Sequence, residues 1–303
     1  MTTAFDQLLE SSDLGNMRAA LAHHESTLSL PQVRRLCDLA HRLQAPTTEL
    51  RLAVVHTYTS DLLDPWFKLA AALQGSSIDC HHAPYGLNLQ EARSDSALVR
   101  HRPDLTLLML QREDLHPSLA GPLTGLSDDD REGLLQLVVE RLDDIIRRFR
   151  GQPLGQLVVT LLPSPFPPGQ GYFDAQAEAS EGYWWARLKS AIAVLTRETF
   201  SSTFFLDLDL VLQRLGRKGF FDLRLWFSAR YPFSPPAAQM FAQRVVDIGV
   251  TLKSPRAKVI ALDADNTLWG GIVGEDGLNG IALGPEYPGN VYCEFQRRLL
   301  PYQ

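Results

Sequence analysis

The segment Leu52-Ala-Val-Val-His56-Thr-Tyr-Thr-Ser-Asp61 decides the fold, because an apolar run stops abruptly there in a polar turn. Asp64 can cap a helix directly after the turn, with Pro65 in its first turn and Gly75 just past its end. Short apolar runs that alternate with helices are typical of α/β domains. We therefore interpret residues 52–75 as the first strand and helix of an α/β fold.

The same alternation continues downstream to about Gly249. One long helix opens with Ser127-Asp-Asp-Asp130, a cap followed by an acidic first turn. Strands joined by crossover helices form a mostly parallel sheet with helices on both faces, which is a three-layer α/β/α domain. Ligands bind such sheets beyond the carboxyl ends of the strands, so functional residues are expected in the turns at 56–61, 111–114 and 163–171. The further candidate strands are residues 78–81, 105–110, 157–162 and 203–208.

The chain is expected to divide into three segments around this sheet. We predict helices in residues 1–48, the α/β domain in 49–250, and a second domain in 256–303. The first strand of the second domain is expected to begin at Lys258. Residues 251–257, which include Ser254-Pro255, are expected to form the linker between the last two segments.

The composition excludes several classes of protein. The 303 residues include 29 Lys and Arg against 35 Asp and Glu, for a net charge of −6, and the charges are spread along the chain. A nucleic-acid binder would show a basic stripe, so that class is not expected. No apolar run reaches the length of about 18 residues that marks a membrane span. The three cysteines are far apart, which argues against a disulfide framework or a cysteine zinc site and favours a cytoplasmic protein.

A second apolar run, Val259-Ile-Ala-Leu262, ends in two aspartates, Asp263 and Asp265. At a strand end the turning chain can bring both carboxylates around one small site, where Mg²⁺ would remove their mutual repulsion. One aspartate can attack a phosphoryl group while the other passes a proton to the leaving group. We therefore predict Asp263 as the nucleophile, Asp265 as the acid/base, and both as ligands of Mg²⁺. An isolated pair of this kind more often only begins a turn, but here the motif continues.

The continuation Asn266-Thr-Leu-Trp-Gly-Gly271, followed by Gly274-Glu-Asp-Gly277, closely resembles the FkbH-like family. Members of this family open a phosphatase domain of the haloacid dehalogenase (HAD) type with Asp-x-Asp-Asn-Thr-Leu-Trp-Gly-Gly. The resemblance implies that residues 256–303 begin a HAD-like Rossmannoid domain, and that Asn266 and Thr267 bind substrate. It also implies an SGNH-hydrolase-like, flavodoxin-like first domain. Weaker similarities to the family occur at residues 57–61, 95–98, 102–104, 225–226 and 232–235.

The resemblance also implies an activity. Members of the family transfer a glyceryl unit from a phosphorylated three-carbon acid, typically 1,3-bisphosphoglycerate, to the phosphopantetheine thiol of an acyl carrier protein. They also remove the phosphate, and the product feeds polyketide biosynthesis. Only 40 residues follow Asp263, so the family's later motifs, a Ser/Thr and a Lys for the phosphoryl oxygens and a further acidic metal ligand, are not expected. We expect a fragment of a longer enzyme, and a remnant without phosphatase activity is the alternative.

In the first domain, similarity to SGNH hydrolases points to Thr59 and Ser60, in the turn after the first strand. Those enzymes use a late histidine as the base, but Tyr231 stands at the expected position, and a serine without a base is a weak nucleophile. His81 and His82 are expected to project to opposite sides of a strand rather than to bind a metal. Three possibilities stay open: a hydrolase or acyltransferase acting through Thr59 or Ser60, a noncatalytic docking site for a carrier protein, and a plain scaffold.

Overall fold

The computed structural model describes residues 4–24, 27–86, 89–199, 202–254 and 259–302. The chain divides into two compact units, residues 1–253 and 254–303. Among the described residues, no helix is both long and apolar enough to cross a membrane. The elements of the first unit are α1 (Ala4–Leu9), α2 (Leu14–Ala22), α3 (Leu30–Leu43), β1 (Thr48–His56), α4 (Asp64–Ala72), β2 (Ser76–His82), α5 (Ala97–His101), β3 (Leu105–Leu110), α6 (Asp128–Arg150), β4 (Gln156–Leu161), α7 (Glu181–Val194), β5 (Thr203–Phe205), α8 (Asp209–Phe220), α9 (Leu223–Ala229) and α10 (Pro235–Lys253).

The five strands form one parallel sheet in the order β2-β1-β3-β4-β5, which is the flavodoxin-like order. Strand β1 lies between β2 and β3, and its residue Leu52 is in register with Cys80 of β2 and with Leu105 of β3. The carboxyl ends of the strands therefore meet at one edge of the sheet. The α/β fold class and the parallel sheet predicted from the sequence are confirmed.

Alternate residues of the central strand face two different hydrophobic cores. Leu52 and Val54 pack into the core that also contains residues of α3, α4 and α10. Ala53 and Val55 face the other core, which is built with α6 and α7. All four side chains are fully buried, and a strand buried on both faces reads as a continuous apolar run. The three-layer α/β/α arrangement is thus confirmed.

Two element ends of the first unit differ from expectation. Strand β5 stops at Phe205 rather than at residue 208. In the turn that follows, the Asp207 carboxylate accepts a hydrogen bond from the Asp209 backbone N–H (3.0 Å), where helix α8 begins. Helix α10 runs through Gly249 to Lys253, so the linker predicted for residues 251–257 is wrong at its beginning. Its later part, residues 255–257, lies outside the described residues.

Gly249 lets helix α10 lie close to β1. A Cβ atom added to Gly249 would be 2.5 Å from Leu50 Cδ2, and Leu50 is buried. The missing side chain therefore permits the close packing of helix on sheet.

The second unit contains α11 (Val273–Gly280) and α12 (Gly289–Leu299), with one antiparallel bridge between Gly270 and Ala282. The strand predicted to precede Asp263 is not formed: residues 259–262 are irregular and exposed, and Lys258 lies outside the described residues. A strand needs a neighbour for its backbone hydrogen bonds. The described residues of this unit provide no neighbouring strand.

Two helical glycines provide a matched test of the packing. Gly249→Ala places a methyl group against Leu50 and should lower the free energy of unfolding by about 1–3 kcal/mol. Gly133→Ala in α6 meets no atom within 4 Å at an exposed position, and should raise that free energy by roughly 0.5–1 kcal/mol because alanine is the better helix former. Urea unfolding of both variants measures the two effects. Equal stability of the two variants would contradict close packing at Gly249.

Candidate functional site

Residues 263–267 form a tight turn on the surface of the second unit. The Ala264 carbonyl accepts hydrogen bonds from the backbone N–H groups of Thr267 (3.3 Å) and Leu268 (2.8 Å). Asp263 is exposed, and its Oδ1 accepts a hydrogen bond from the Ala264 N–H (2.8 Å). The Asp263 carboxylate therefore reaches solvent at the start of a hydrogen-bonded turn.

Asp265 is held in place more firmly than Asp263. Its Oδ1 accepts hydrogen bonds from the indole Nε1–H of Trp269 (3.0 Å) and from the backbone N–H of Val273 (3.3 Å). The side chain is half-buried. These two donors fix the orientation of the carboxylate, which is what an acid/base group needs in order to meet a proton at a defined place.

The residues that follow the aspartates close the turn. Asn266 has a left-handed backbone (φ 54°), and its side-chain Oδ1 accepts a hydrogen bond from the Gly271 N–H (2.8 Å). Gly271 itself has φ 95°, which favours glycine. A Cβ on Gly270 would lie 2.9 Å from the ring of Tyr292 in α12. The Gly-Gly pair is thus required by the local backbone and by the helix packed against it.

The roles predicted for Asn266 and Thr267 in substrate binding stay predictions. Asn266 is exposed, but its side-chain oxygen is used inside the turn. Thr267 is half-buried and donates its backbone N–H to the Ala264 carbonyl.

The donor set of this turn suits a metal held in part by substrate. Within the described ranges, no three or more His, Cys, Asp or Glu side chains gather where they could hold an ion. Asp263 and Asp265 are two carboxylates of one short turn. Mg²⁺ is commonly held by one or two carboxylates, with water and phosphate oxygens completing its shell. The residues present fit that mode.

The first-unit residues Thr59 and Ser60 lie in the turn after β1, as predicted. The Thr59 hydroxyl donates to the Ala229 carbonyl, which ties this turn to the end of α9. Ser60 is fully buried, and its Oγ lies 2.8 Å from Nδ1 of His82. The other ring nitrogen of His82, Nε2, lies 2.8 Å from Oδ1 of Asp64.

Ser60, His82 and Asp64 thus form a serine, histidine and carboxylate array, which we call the Ser60 array. A histidine thus lies beside Ser60, although Tyr231 stands where the sequence comparison expected one. Val54 of β1 is in register with His82 of β2, and neighbouring parallel strands end at the same edge of the sheet. This pairing was the signal that could have placed His82 beside the turn.

The neighbouring histidine behaves differently. The His81 ring stacks on the ring of His101 with centroids 5.3 Å apart, so His81 and His82 project to opposite sides of the strand, as predicted. Burial and the nearby His101 lower the pKa of His81. Its Nε2 is buried without a hydrogen-bond partner among the described residues.

No protein-family model matches the sequence, and no curated protein matches it either. The chain is similar in structure to the N-terminal part of the protein BF1531 from Bacteroides fragilis, a crystal structure that contains a phosphatase domain and is complexed with Mg. The TM-score is 0.69 at 21% sequence identity, and the match covers 90% of this chain and 70% of the other. The two chains therefore share a fold.

The hydrogen bond between Trp269 and Asp265 gives the turn a spectroscopic signature. Asp265→Ala removes the acceptor of the Trp269 indole N–H, and its ¹H resonance should move upfield in a ¹H–¹⁵N spectrum. Glu275→Gln in the same unit changes a carboxylate outside this contact and should leave that resonance in place. An unmoved indole resonance in Asp265→Ala would contradict the geometry of the turn.

Proposed function

We propose that the turn at residues 263–267 performs phosphoryl transfer, with Asp263 as the nucleophile. The observation that carries this proposal is the pairing of an exposed carboxylate, Asp263, with a carboxylate two residues later that Trp269 and Val273 hold in place. An exposed carboxylate can reach a phosphoryl group from solvent. A fixed neighbour can pass a proton at a constant position.

The reaction proceeds in two displacements. An oxygen of Asp263 forms a bond to phosphorus while the bond from phosphorus to the leaving oxygen breaks, and Asp265 gives its proton to that oxygen. Water then attacks the phosphorus of the aspartyl phosphate, Asp265 takes up a proton from the water, and inorganic phosphate leaves. The Asp263 carboxylate is restored for the next cycle.

Asp263 and Asp265 are also the residues that would hold Mg²⁺. When bound, the ion would neutralise negative charge on the transferring phosphoryl group. The fold shared with the Bacteroides structure, which contains a phosphatase domain complexed with Mg, supports this assignment.

We further propose the FkbH-like substrate class, on the strength of the sequence from Asp263 to Gly277. The phosphopantetheine thiol of an acyl carrier protein would attack the carboxyl phosphate of 1,3-bisphosphoglycerate, so that a carbon–sulfur bond forms and inorganic phosphate leaves. The remaining phosphate monoester would then be the substrate of Asp263. The product would be a glyceryl thioester for polyketide biosynthesis.

Asp263→Asn tests the nucleophile. The full chain is incubated with Mg²⁺, 1,3-bisphosphoglycerate and phosphopantetheinylated carrier protein, and the carrier is followed by intact mass while released phosphate is measured. Wild type should give a carrier with a glyceryl adduct. Asp263→Asn should slow hydrolysis of the phosphate monoester by about 10³-fold or more, because an amide oxygen is a poor nucleophile.

Glu275→Gln is the matched control, since it removes a neighbouring carboxylate and should leave the rate unchanged. Chelation of Mg²⁺ should stop hydrolysis by the wild type. A wild-type carrier of unchanged mass contradicts glyceryl transfer. A normal rate of hydrolysis of the phosphate monoester by Asp263→Asn removes Asp263 from its role, whatever happens to the carrier.

The Ser60 array favours a second candidate function, an SGNH-like hydrolase or acyltransferase. His82 can take the hydroxyl proton of Ser60 at Nδ1, while Asp64 at Nε2 stabilises the ring as it becomes charged. Ser60 has no exposed surface, so the turn from Ser60 to Leu63 must open before an acyl group can reach the hydroxyl.

Labelling with a fluorophosphonate tests this second function. Wild type should incorporate the probe at Ser60, and both Ser60→Ala and His82→Ala should lose the label. Thr59→Ser changes the neighbouring hydroxyl residue conservatively and should keep it. Absence of label in wild type, combined with binding of the carrier protein, would identify this unit as a noncatalytic docking site.

A further inference from the structure

A cleft opens at the carboxyl ends of β4 and β5 in the first unit. Two of the three turns singled out from the sequence contribute to it, through Arg112 and through the proline-rich segment 163–168. Its wall is largely apolar and includes Trp185 and Phe205. Its position is typical of a small-molecule site in a parallel α/β sheet. Neither the Ser60 array nor the second unit contributes a lining residue.

The guanidinium of Arg112 lines this cleft without a hydrogen-bond acceptor among the described residues. Its guanidinium lies over the Trp185 ring, 5.3 Å from the centroid, which fixes its orientation. Burial lowers the pKa of Arg112, the nearby carboxylates of Glu113 and Glu181 act in the opposite direction, and the neighbouring Arg217 lowers it again. Among the residues that the structure describes, none accepts a hydrogen bond from this guanidinium. A desolvated guanidinium with free donors is the side chain best suited to hold a carboxylate or phosphate.

The acidic residues of the cleft are engaged elsewhere. The two oxygens of Glu181 accept hydrogen bonds from the backbone N–H groups of Leu123 (2.7 Å) and Gly169 (3.3 Å). Asp207 and Asp209 share the ammonium group of Lys189, at 3.3 and 2.7 Å. Among the described residues, no carboxylate forms a hydrogen bond or ion pair with Arg112, and Glu113 and Glu181 act on it only as nearby charges.

Arg217 adds a second guanidinium to the same wall. It donates one hydrogen bond, from Nη1 to the Ser164 carbonyl (2.6 Å), which anchors the guanidinium beside the proline-rich segment. The remaining donors of a guanidinium are directed away from such a contact. The guanidinium groups of Arg112 and Arg217 therefore lie beside the apolar wall of the cleft.

We propose that this cleft binds a small organic oxyanion, with its carboxylate or phosphate group on Arg112 and Arg217 and its apolar body against Trp185 and Phe205. This proposal does not depend on the role of Asp263. The ligand class follows from the cations and from the apolar wall together: the guanidinium groups require an anion, and the wall requires carbon surface to cover it.

The test is a calorimetric titration of the full chain in EDTA with phenylphosphonate, benzoate and the neutral benzamide. At least one of the two anions should bind at least about tenfold more tightly than benzamide, and the stronger of the two identifies the phosphate or the carboxylate as the preferred group. Arg112→Gln should weaken that binding about tenfold or more, the loss expected for a charged hydrogen bond. Arg187→Gln, which changes a surface arginine paired with Glu132, should leave it unchanged.

A second measurement locates the binding site in protein that keeps Arg112. In protein labelled with 5-fluorotryptophan, the ¹⁹F resonance of Trp185, assigned with Trp185→Phe, should shift during the titration with the anion. Three results would overturn the proposal: anions that bind no better than benzamide, full affinity in Arg112→Gln, or a titration that moves only the resonances of other tryptophans.

Discussion

The pairing of β1 with β2 on one edge and β3 on the other is the constraint on which the first unit depends. Because β1 is buried on both faces and bonded on both edges, its end is fixed relative to the ends of its neighbours. That edge brings His82 beside Ser60, and it carries the turn with Arg112 towards the ends of β4 and β5. Both sites of this unit are therefore consequences of strand order rather than of any local motif.

The helices and strands that could be predicted are those with a clear local sequence pattern whose neighbours in the fold also favour the same structure. The runs at Leu52–Val55 and 105–110 form central strands because they pair with neighbouring strands and their side chains are buried in the two cores. The run at 259–262 has the same apolar character, yet it is irregular and exposed. A strand forms only where another strand supplies backbone hydrogen bonds, and the composition of a segment does not show whether such a partner exists. Helix α10 extends beyond its predicted end. Its packing on Leu50 involves a distant part of the chain, which the sequence of the helix does not show.

The same distinction applies to the sites. The turn at Asp263 and Asp265 is built by hydrogen bonds within about ten residues, so its residue types could be interpreted directly from the sequence. The Ser60 array joins residues 22 positions apart, and its histidine was found only once the register of β1 and β2 was known. The cleft combines four segments of the chain. The charge available to a ligand in the cleft depends on which of its carboxylates already bind other groups of the protein. No sequence pattern predicts those contacts.

The central claim is that Asp263 becomes phosphorylated. It is tested most directly by quenching a turnover reaction with borohydride, which reduces an aspartyl phosphate to homoserine, and by sequencing the peptides by mass spectrometry. Homoserine is expected at position 263 and unmodified aspartate at 265. Hydrolysis of the phosphate monoester without homoserine at 263, or with homoserine at 265, would contradict phosphorylation of Asp263.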